Sequence, residues 1–318
     1  MDSKLKIKQL RNIINKQLLS LIDYDYIYLD VPYYPNIGDS LIWEGTLEFL
    51  KQLPYKCLYC SNYENYTFQQ IDKNTIILLQ GGGNWGDLYP WHHEFRKRII
   101  KEYPQNRIII LPQTIYYPNS AYQEEDSIFF NQYPNVTICV RDKKSYEIAK
   151  NNFSKNPIIL IPDMAFFIPY KRIKHNSKNV LFLKRNDKEL PSNIHITIPK
   201  GIDMHDWPTT ERDFWYIRLV NIVFGTFRKI ITPFNLKLAQ RIKDFKYDYF
   251  IRKFYVNIGS DFINHYDTIY TTRLHGMILS ILLDKQIYLI DNSYGKNFNF
   301  YHTWLEDLDS VQLIESDN

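Results

Sequence analysis

The 318-residue sequence predicts an α/β fold with two Rossmann-like domains that face a cleft. Strand-length apolar runs alternate with helical patterns along both halves of the chain, which is typical of parallel sheets with βαβ connections. A polar, basic stretch over Pro169–Lys178 indicates a linker between the halves. We therefore expect an N-terminal domain over 1–168 and a C-terminal domain over 169–318, with the last helix able to pack back on the first domain.

The first half alternates strongly between the two periodicities. The predicted strands are Tyr26–Val31, Tyr55–Cys60, Thr75–Leu79, Arg107–Leu111, Val136–Val140 and Pro157–Ile161. The predicted helices are Ser40–Leu53, Phe95–Lys101, Tyr122–Tyr133 and Lys144–Asn151. Successive strands joined by helices favour one parallel sheet.

The second half repeats the pattern around a long helical insertion. The predicted strands are Val180–Leu183, His195–Ile198, Ile269–Thr272 and Gln286–Ile290. The predicted helical segments are Glu211–Tyr255, Gly276–Leu283 and Phe298–Leu308. Proline cannot continue a helix, so we expect a break in the long segment near Thr232-Pro233.

Composition and charge exclude several classes of protein. With 39 Lys and Arg against 35 Asp and Glu, the net charge of +4 is too small to indicate a nucleic-acid partner. Three cysteines cannot build a disulfide scaffold, so we expect a reducing, cytoplasmic location. The Met1–Gln17 segment lacks the apolar core of a signal peptide, and no apolar run is long enough for a transmembrane helix.

Polar clusters follow the predicted strands at their carboxyl ends, where open α/β sheets bind ligands. These clusters are Asn36–Ser40, Gly81–Asp87, Pro112–Thr114, Arg141-Asp142, Pro162-Asp163, Arg273–His275 and Asp291–Lys296. They predict one functional rim in each domain.

The glycine run Gly81–Gly83 permits close approach of a ligand to the backbone, and its amides could hold an anion. It matches neither the dinucleotide fingerprint nor the phosphate-binding loop with Lys-Ser or Lys-Thr. A tight strand-to-helix turn is an equally good interpretation. Asp39 and Ser40 could likewise only cap the following helix.

The Arg273-Leu274-His275 cluster is the sharper candidate. Arginine binds carboxylate or phosphate bidentately, and histidine exchanges a proton near neutral pH. At a helix start, the positive end of the helix dipole beside both side chains would also favour an anionic ligand. A purely structural role for both remains the alternative.

Other motifs favour structural interpretations. Cys57 and Cys60 have metal-type spacing but lack a second pair, and they are interpreted as core cysteines. His92-His93 is interpreted as a loop surface or cleft wall. The sequence indicates no metal site and contains no Gly-x-Ser-x-Gly motif of serine hydrolases.

The segment Glu211–Lys253 combines basic charge with large aromatics. It has ten Lys and Arg, four Asp and Glu, and ten Phe, Trp and Tyr. This composition predicts peripheral contact with an anionic membrane, in which Phe214, Trp215, Phe224 and Phe227 enter the interface while Arg218, Arg228 and Lys229 meet headgroups. The alternative is a pair of amphipathic helices that bury those aromatics and leave the basic residues in solvent.

Taken in order, these motifs resemble the polysaccharide pyruvyl transferase family. The matching landmarks are Asn36-x-Gly38-Asp39, Gly81–Gly83, Val140-Arg141-Asp142-x-x-Ser145, Pro162-Asp163, Arg273-Leu274-His275 and Tyr294-x-Lys296. The resemblance implies a fold similar to GT-B glycosyltransferases. It also implies a bacterial enzyme of capsule or exopolysaccharide synthesis that transfers pyruvate from phosphoenolpyruvate to a sugar as a ketal, on a hexose such as galactose in a lipid-linked precursor.

Phosphoenolpyruvate has two anionic ends, so Arg141 and Arg273 could bind it from opposite sides of the cleft. His275 is the best general acid/base for ketal formation, which needs no cofactor beyond the co-substrate. The resemblance adds Leu274 as a donor contact. The further predicted donor-binding residues are Asn36, Gly38, Asp39, Gly82, Gly83 and Lys296, and the predicted cleft or acceptor residues are Asn84, Trp85, Gln113 and Tyr294.

Two other functions fit the sequence less well. A GT-B-like glycosyltransferase would use a nucleotide sugar, and a non-catalytic scaffold of polysaccharide assembly would turn over neither donor.

Overall fold

Two parallel β-sheets organise the chain in a computed structural model, which describes residues 1–169, 179–190 and 201–314. The first sheet has the strand order β2-β1-β3-β5-β6-β7, with β4 paired to β5, and the second has the order β12-β11-β10-β8-β9. The strands of the first sheet are β1 (Tyr26–Leu29), β2 (Cys57–Ser61), β3 (Ile76–Leu79), β4 (Gly82–Trp85), β5 (Ile108–Ile115), β6 (Val136–Val140) and β7 (Ile158–Leu160). Those of the second are β8 (Val180–Leu183), β9 (Asp203–His205), β10 (Thr268–Thr271), β11 (Gln286–Ile290) and β12 (Val311–Ile314).

Helices connect the strands of both sheets. They are α1 (Ser3–Leu18), α2 (Ile37–Leu50), α3 (Pro90–Glu102), α4 (Ser120–Phe130), α5 (Lys143–Asn152), α6 (Pro208–Glu211), α7 (Trp215–Ile231), α8 (Leu236–Lys246), α9 (Arg252–Asn264), α10 (Leu274–Leu282) and α11 (Lys296–Trp304). A 3₁₀ turn spans Met164–Phe167, and a π-helical turn over Tyr247–Ile251 joins α8 to α9. The α/β class and the parallel sheets are therefore confirmed.

The central strands are continuous apolar runs because helices cover both faces of a parallel sheet. All four residues of β1 and all four of β3 are buried, and the two strands pair in register from Tyr26↔Ile76 to Leu29↔Leu79. This continuity made the strands recognisable from the sequence.

Helices at both ends of the chain cross between the two halves. In α1, Ile7 and Leu10 pack into the hydrophobic core around the second sheet. In α11, the indole of Trp304 donates to the backbone carbonyl of Arg141 at 2.8 Å. Close packing also joins α2 to the 3₁₀ turn, where a Cβ on Gly45 would lie 2.0 Å from the Met164 carbonyl oxygen. The two sheets thus share helical layers.

The sequence predicted most element positions within a few residues. The break near Thr232-Pro233 is confirmed, since α7 ends at Ile231. The predicted boundary after residue 168 lies between β7 and β8, which belong to different sheets, while the division into domains stays a prediction. The predicted strand His195–Ile198 and almost all of the predicted linker Pro169–Lys178 lie outside the described residues.

Three short strands and two helices were not predicted. One of the helices is the four-residue α6, which ends where the long predicted helical segment begins. β4 and β9 are short strands without a strong apolar run, and β12 follows the last predicted helix. α1 was not recognised because basic residues interrupt the apolar ones in Met1–Gln17. Its buried residues include Ile7, Leu10 and Ile14 at helical spacing. In the described part of the chain, no helix has the length and apolar character needed to cross a membrane.

Candidate active site

A cavity of about 360 Å³ lies where strands of both sheets end. Its lining includes residues that follow β1, β3, β6, β8, β10 and β11, as expected for a ligand site at the carboxyl ends of parallel strands. The predicted residues that line it are Asn36, Gly38, Asp39, Gly83, Asn84, Arg141, Arg273, Leu274, His275 and Lys296. The strand-exit pattern therefore located a common cavity.

Arg141 and His275 meet at one buried carboxylate. Arg141 Nη1 donates to Asp163 Oδ2 at 2.6 Å, and His275 Nε2 lies 3.4 Å from the same oxygen. Burial alone would raise the pKa of Asp163, but the neighbouring His275 and the Arg141 charge outweigh it and hold that pKa well below its usual range. The ionised Asp163 carboxylate thus holds the arginine and lies beside the imidazole.

The backbone of Gly38 lies against the other nitrogen of the same imidazole. A Cβ placed on Gly38 would lie 2.6 Å from His275 Nδ1 and 3.0 Å from Cγ. Any side chain here would displace the ring, so glycine is required by space and not by backbone conformation. The absence of a side chain at Gly38 therefore leaves room for the imidazole against the first turn of α2.

The N-cap of α2 is Asn36, whereas the sequence suggested Asp39 or Ser40 as the cap. The side chain of Asn36 accepts from the Asp39 amide at 3.2 Å, whereas Asp39 Oδ2 accepts from the Tyr34 hydroxyl at 2.9 Å. The capping alternative is therefore wrong for the Asp39 side chain, which is held at the cavity by a tyrosine.

Arg273 is positioned by a pair of hydrogen bonds to one carboxylate. Its Nε and Nη2 both donate to Asp206, the second at 2.6 Å, and Asp206 is 1% exposed at its side chain. Arg273 is also the N-cap of α10, so the first-turn amides at Leu274 and His275 have no acceptor inside the helix. A helix N-terminus and a fixed guanidinium therefore face the cavity together.

Glu189 gathers two cations on the opposite part of the lining. Its Oε2 accepts from Lys296 Nζ at 2.7 Å and from Arg185 Nη1 at 2.7 Å. Burial would raise the pKa of Glu189, but the charges of Lys296 and Arg185 outweigh it and keep that pKa low. Burial, opposed by Glu189 and aided by Arg185 and Arg141, lowers the pKa of Lys296.

Each of the four Arg and Lys side chains in the described lining of the cavity therefore contacts a carboxylate. The contacts join Arg141 to Asp163, Arg273 to Asp206, and both Arg185 and Lys296 to Glu189. Arg141 and Arg273, the two predicted donor-binding arginines, are therefore both held in place by carboxylates of the protein. The cavity is thus pre-organised and nearly charge-balanced.

Comparison with known proteins identifies the family. The sequence model described as "Polysaccharide pyruvyl transferase" matches residues 36–294, which is most of the chain. The chain belongs to the polysaccharide pyruvyl transferase family. The match includes every landmark of the resemblance except Lys296, which lies two residues beyond its end.

Relatives of this pyruvyl transferase family member extend over nearly the whole chain. EpsO of Bacillus subtilis, named as a pyruvyl transferase, is 35% identical over 98% of this chain and 93% of its own length. Pyruvyl transferase 1 of Schizosaccharomyces pombe is 29% identical over 89% of this chain and 71% of its own. A solved structure of an uncharacterized protein from Klebsiella pneumoniae has the same fold, with a TM-score of 0.61, 22% identity and coverage of 97% of this chain and 98% of that one.

Four predicted site residues of this family member lie outside the cavity lining. Trp85 is buried against Phe130, and Gln113 is buried with its amide donating to the Gln80 carbonyl. Gly82 lies in β4 with a φ of 143°. Tyr294 reaches the site only indirectly, since its hydroxyl donates to Glu189 at 3.0 Å. A strand end contributes side chains to two faces, and the sequence alone could not assign them.

For the histidine pair, the loop alternative is wrong, whereas the cleft-wall alternative holds for His92. His92 and His93 lie in α3 and both are buried. His92 lines the cavity, and its Nδ1 lies 2.8 Å from Oδ1 of Asp30, a residue with the left-handed φ of 67°. Burial would lower the pKa of His92, but Asp30 outweighs it, so the pKa is raised. The signal available in the sequence was Asp30, a charged residue directly after the buried strand β1.

Two further outcomes concern possible metal ligands. Cys57 is exposed and Cys60 is half-buried, so the core interpretation is wrong for Cys57, which lies on edge strand β2. Over residues 1–169, 179–190 and 201–314, no group of three or more His, Cys, Asp and Glu side chains has an arrangement that could hold a metal ion.

Proposed function

We propose that this family member transfers the pyruvyl group of phosphoenolpyruvate to two hydroxyls of one sugar, forming a ketal and releasing phosphate. The proposed acceptor is a hexose such as galactose in a lipid-linked polysaccharide precursor. One observation supports the proposal above the others, namely that a proton carrier, His275, and an anion-binding side chain, Arg141, share the Asp163 carboxylate at the cavity.

The donor's two anionic ends require separate groups of hydrogen-bond donors. Arg141 and Lys296 come from opposite halves of the chain, and both lie near Gly83, where a Cβ would be 3.2 Å from Arg141 Nη2 and 3.8 Å from Lys296 Nζ. The second group is Arg273 with the first-turn amides of α10, an arrangement suited to phosphate or carboxylate. The existing ion pairs set the directions of these side chains, and the donor would take their remaining N–H groups.

One acid/base group, His275, is sufficient for the proton transfers of the proposed addition step. A sugar oxygen attacks C2 of the donor while protonated His275 gives its proton to the methylene carbon, which becomes methyl. The imidazole then takes the proton of the attacking hydroxyl. The second hydroxyl displaces phosphate at C2, and its proton leaves with the phosphate. Because carbon undergoes no net oxidation, we propose that no redox cofactor takes part.

The orientation of His275 suits this role. Asp163 lies at Nε2, so Nδ1, beside Gly38, is the nitrogen available for exchange with the substrate. A buried carboxylate on the far side of an imidazole stabilises the imidazolium that forms when it takes up a proton. Such a positioned acid/base group contributes about 10²- to 10⁴-fold to a rate.

We also propose a GT-B-like division into two Rossmann-like domains near residue 168, with the donor bound between them. The two separate sheets and the cavity lined from both support this division. A cytoplasmic location, at the inner face of the membrane, would suit the three free cysteines and a lipid-linked acceptor.

Product analysis tests the reaction class directly. Purified protein is incubated with phosphoenolpyruvate and candidate lipid-linked sugars, and we expect acceptor-dependent phosphate release with a gain of one pyruvylidene unit in the mass of the acceptor. His275→Gln is the matched inactive control. Nucleotide release from a nucleotide sugar would instead indicate a glycosyltransferase, and turnover of neither donor would indicate a scaffold.

A further inference from the structure

The α7–α8 hairpin, Trp215–Lys246, presents an apolar face to solvent. Of the residues in α7, only Val220 is fully buried. The side chains on the outer face recur at helical spacing and include the exposed residues Trp215, Leu219, Ile222, Val223, Phe227 and Ile230. Phe234, at the tip between the helices, is 87% exposed. Contiguous apolar faces of this kind mark interaction surfaces.

The inner side of the same helix is anchored to the protein. Phe224 packs against the core around the second sheet, and Phe214 packs against Phe254. The prediction that these two aromatics enter a membrane is therefore wrong, because they help to fix the hairpin. Trp215 and Phe227, by contrast, are 75% and 57% exposed, so the alternative that buries all four aromatics is wrong as well.

The charge of the hairpin has one sign on its exposed surface. The hairpin has seven Lys and Arg and a single acid, Asp244. Asp244 is buried and accepts from the hydroxyls of Tyr33 and Ser61, each at 2.7 Å, so it adds no negative charge to the outer face. Within the described ranges, no ion pair joins a carboxylate to Arg228, Lys229, Lys237 or Arg241.

Lys246, the last residue of the hairpin, is affected by the positive charge of its neighbours. Lys246 hydrogen-bonds Asn221 across the hairpin at 2.9 Å. Burial, together with the charges of Lys243 and Arg228, lowers its pKa to about 8. The neighbouring cations thus repel one another in the absence of an anionic partner.

We infer that the outer face of the α7–α8 hairpin docks on an anionic lipid surface, with Trp215, Phe227 and Phe234 entering the interface and the four unpaired cations meeting headgroups. A membrane supplies both an apolar phase and a layer of negative charge, which this face complements. A symmetric dimer through the same face would place the cations of one copy opposite those of the other, which costs free energy.

The hairpin also touches a wall of the cavity. Asn65 donates to Asp244 at 2.8 Å and to the backbone carbonyl of Gln240, and Tyr63 of the same loop lines the cavity. Docking would therefore place the cavity beside the lipid surface, where a lipid-linked sugar would be presented. The docking itself involves no donor or acceptor, so its test is independent of the proposed reaction.

Vesicle co-sedimentation of the full chain tests the inference. We expect binding to phosphatidylcholine vesicles that contain phosphatidylglycerol, and much weaker binding to phosphatidylcholine alone. Arg228→Glu with Lys229→Glu should weaken the binding more than about tenfold at low salt, because each cation near an anionic surface contributes about a fivefold factor. Phe227→Gln with Ile230→Gln should weaken binding at both low and high salt.

Matched substitutions elsewhere control for charge and exposure. Lys73→Glu with Lys155→Glu makes the same charge change at exposed positions away from the hairpin, and Ile128→Gln changes an apolar side chain that is 62% exposed on α4. Both should leave binding and melting temperature unchanged. Two results would overturn the inference: no binding of the unaltered chain to anionic vesicles at low salt, or a dimer that Phe227→Gln with Ile230→Gln dissociates while vesicles are ignored.

Discussion

The vacant Cβ position of Gly38 lies 2.6 Å from Nδ1 of His275. This contact joins the first turn of α2 to the start of α10 across the cavity. It ties the smallest side chain in the site to the group proposed to move protons. The relationship can be tested from both sides of the contact.

Gly38→Ala should lower kcat by about 10²-fold, because its methyl group would displace the imidazole by a substantial part of an ångström. The melting temperature should change little. Gly225→Ala is the matched control, since a Cβ there meets no atom within 4 Å and alanine is favoured in the interior of a helix. Phosphate-release kinetics provide the measurement, and a Gly38→Ala enzyme as fast as the control would show that the contact is unimportant.

His275→Gln should reduce kcat by about 10²- to 10⁴-fold while donor affinity stays within a few-fold of the original value. Glutamine keeps hydrogen-bonding capacity near Asp163 but cannot carry a proton at neutral pH. Steady-state kinetics and calorimetric titration with phosphoenolpyruvate measure the two quantities. Retention of more than about a tenth of kcat would remove His275 from the acid/base role.

Arg141→Lys and Arg273→Lys should each weaken phosphoenolpyruvate binding by about tenfold or more, since a point charge cannot replace a planar fork. Each lysine would also leave its buried carboxylate, Asp163 or Asp206, without a bidentate or directed partner. Calorimetry measures the affinity, with Arg218→Lys on exposed α7 as the control. Unchanged affinity in the Arg141→Ala and Arg273→Ala variants would refute donor binding by two arginines.

Protonation of Asp163 in acid should lower the free energy of unfolding of the protein. Its pKa is lower in the folded chain than in the unfolded chain, so its contribution to the free energy of unfolding is complete above the unfolded value and is lost as the pH falls through the folded value. Melting temperatures recorded from pH 5 downward should fall less steeply for Asp163→Asn than for the unaltered chain. Parallel curves would show that Asp163 has no lowered pKa.

The sequence could predict most of the strands and the position of the cavity, because continuous apolar runs and strand-end polar clusters are local signals. It could not predict which clusters share a face. Trp85 and Gln113 follow predicted strands, as Asn84 and Arg141 do, but both are buried outside the cavity lining. The partners Asp206 and Glu189 were missed because their significance arises only from folding beside Arg273 and Lys296. Long-range ion pairs leave no periodic pattern.

Each half of this chain contains a helix that contacts the other half. The N-terminal helix α1 fills part of the core around the second sheet, and Trp304 near the C-terminus bonds the backbone of Arg141 beside the first. A fragment that ended near residue 168 would expose Ile7 and Leu10 and would lose the Trp304 bond at once. Unfolding should therefore be a single cooperative event, in which the integrity of the strand end that carries Arg141 depends on both ends of the polypeptide.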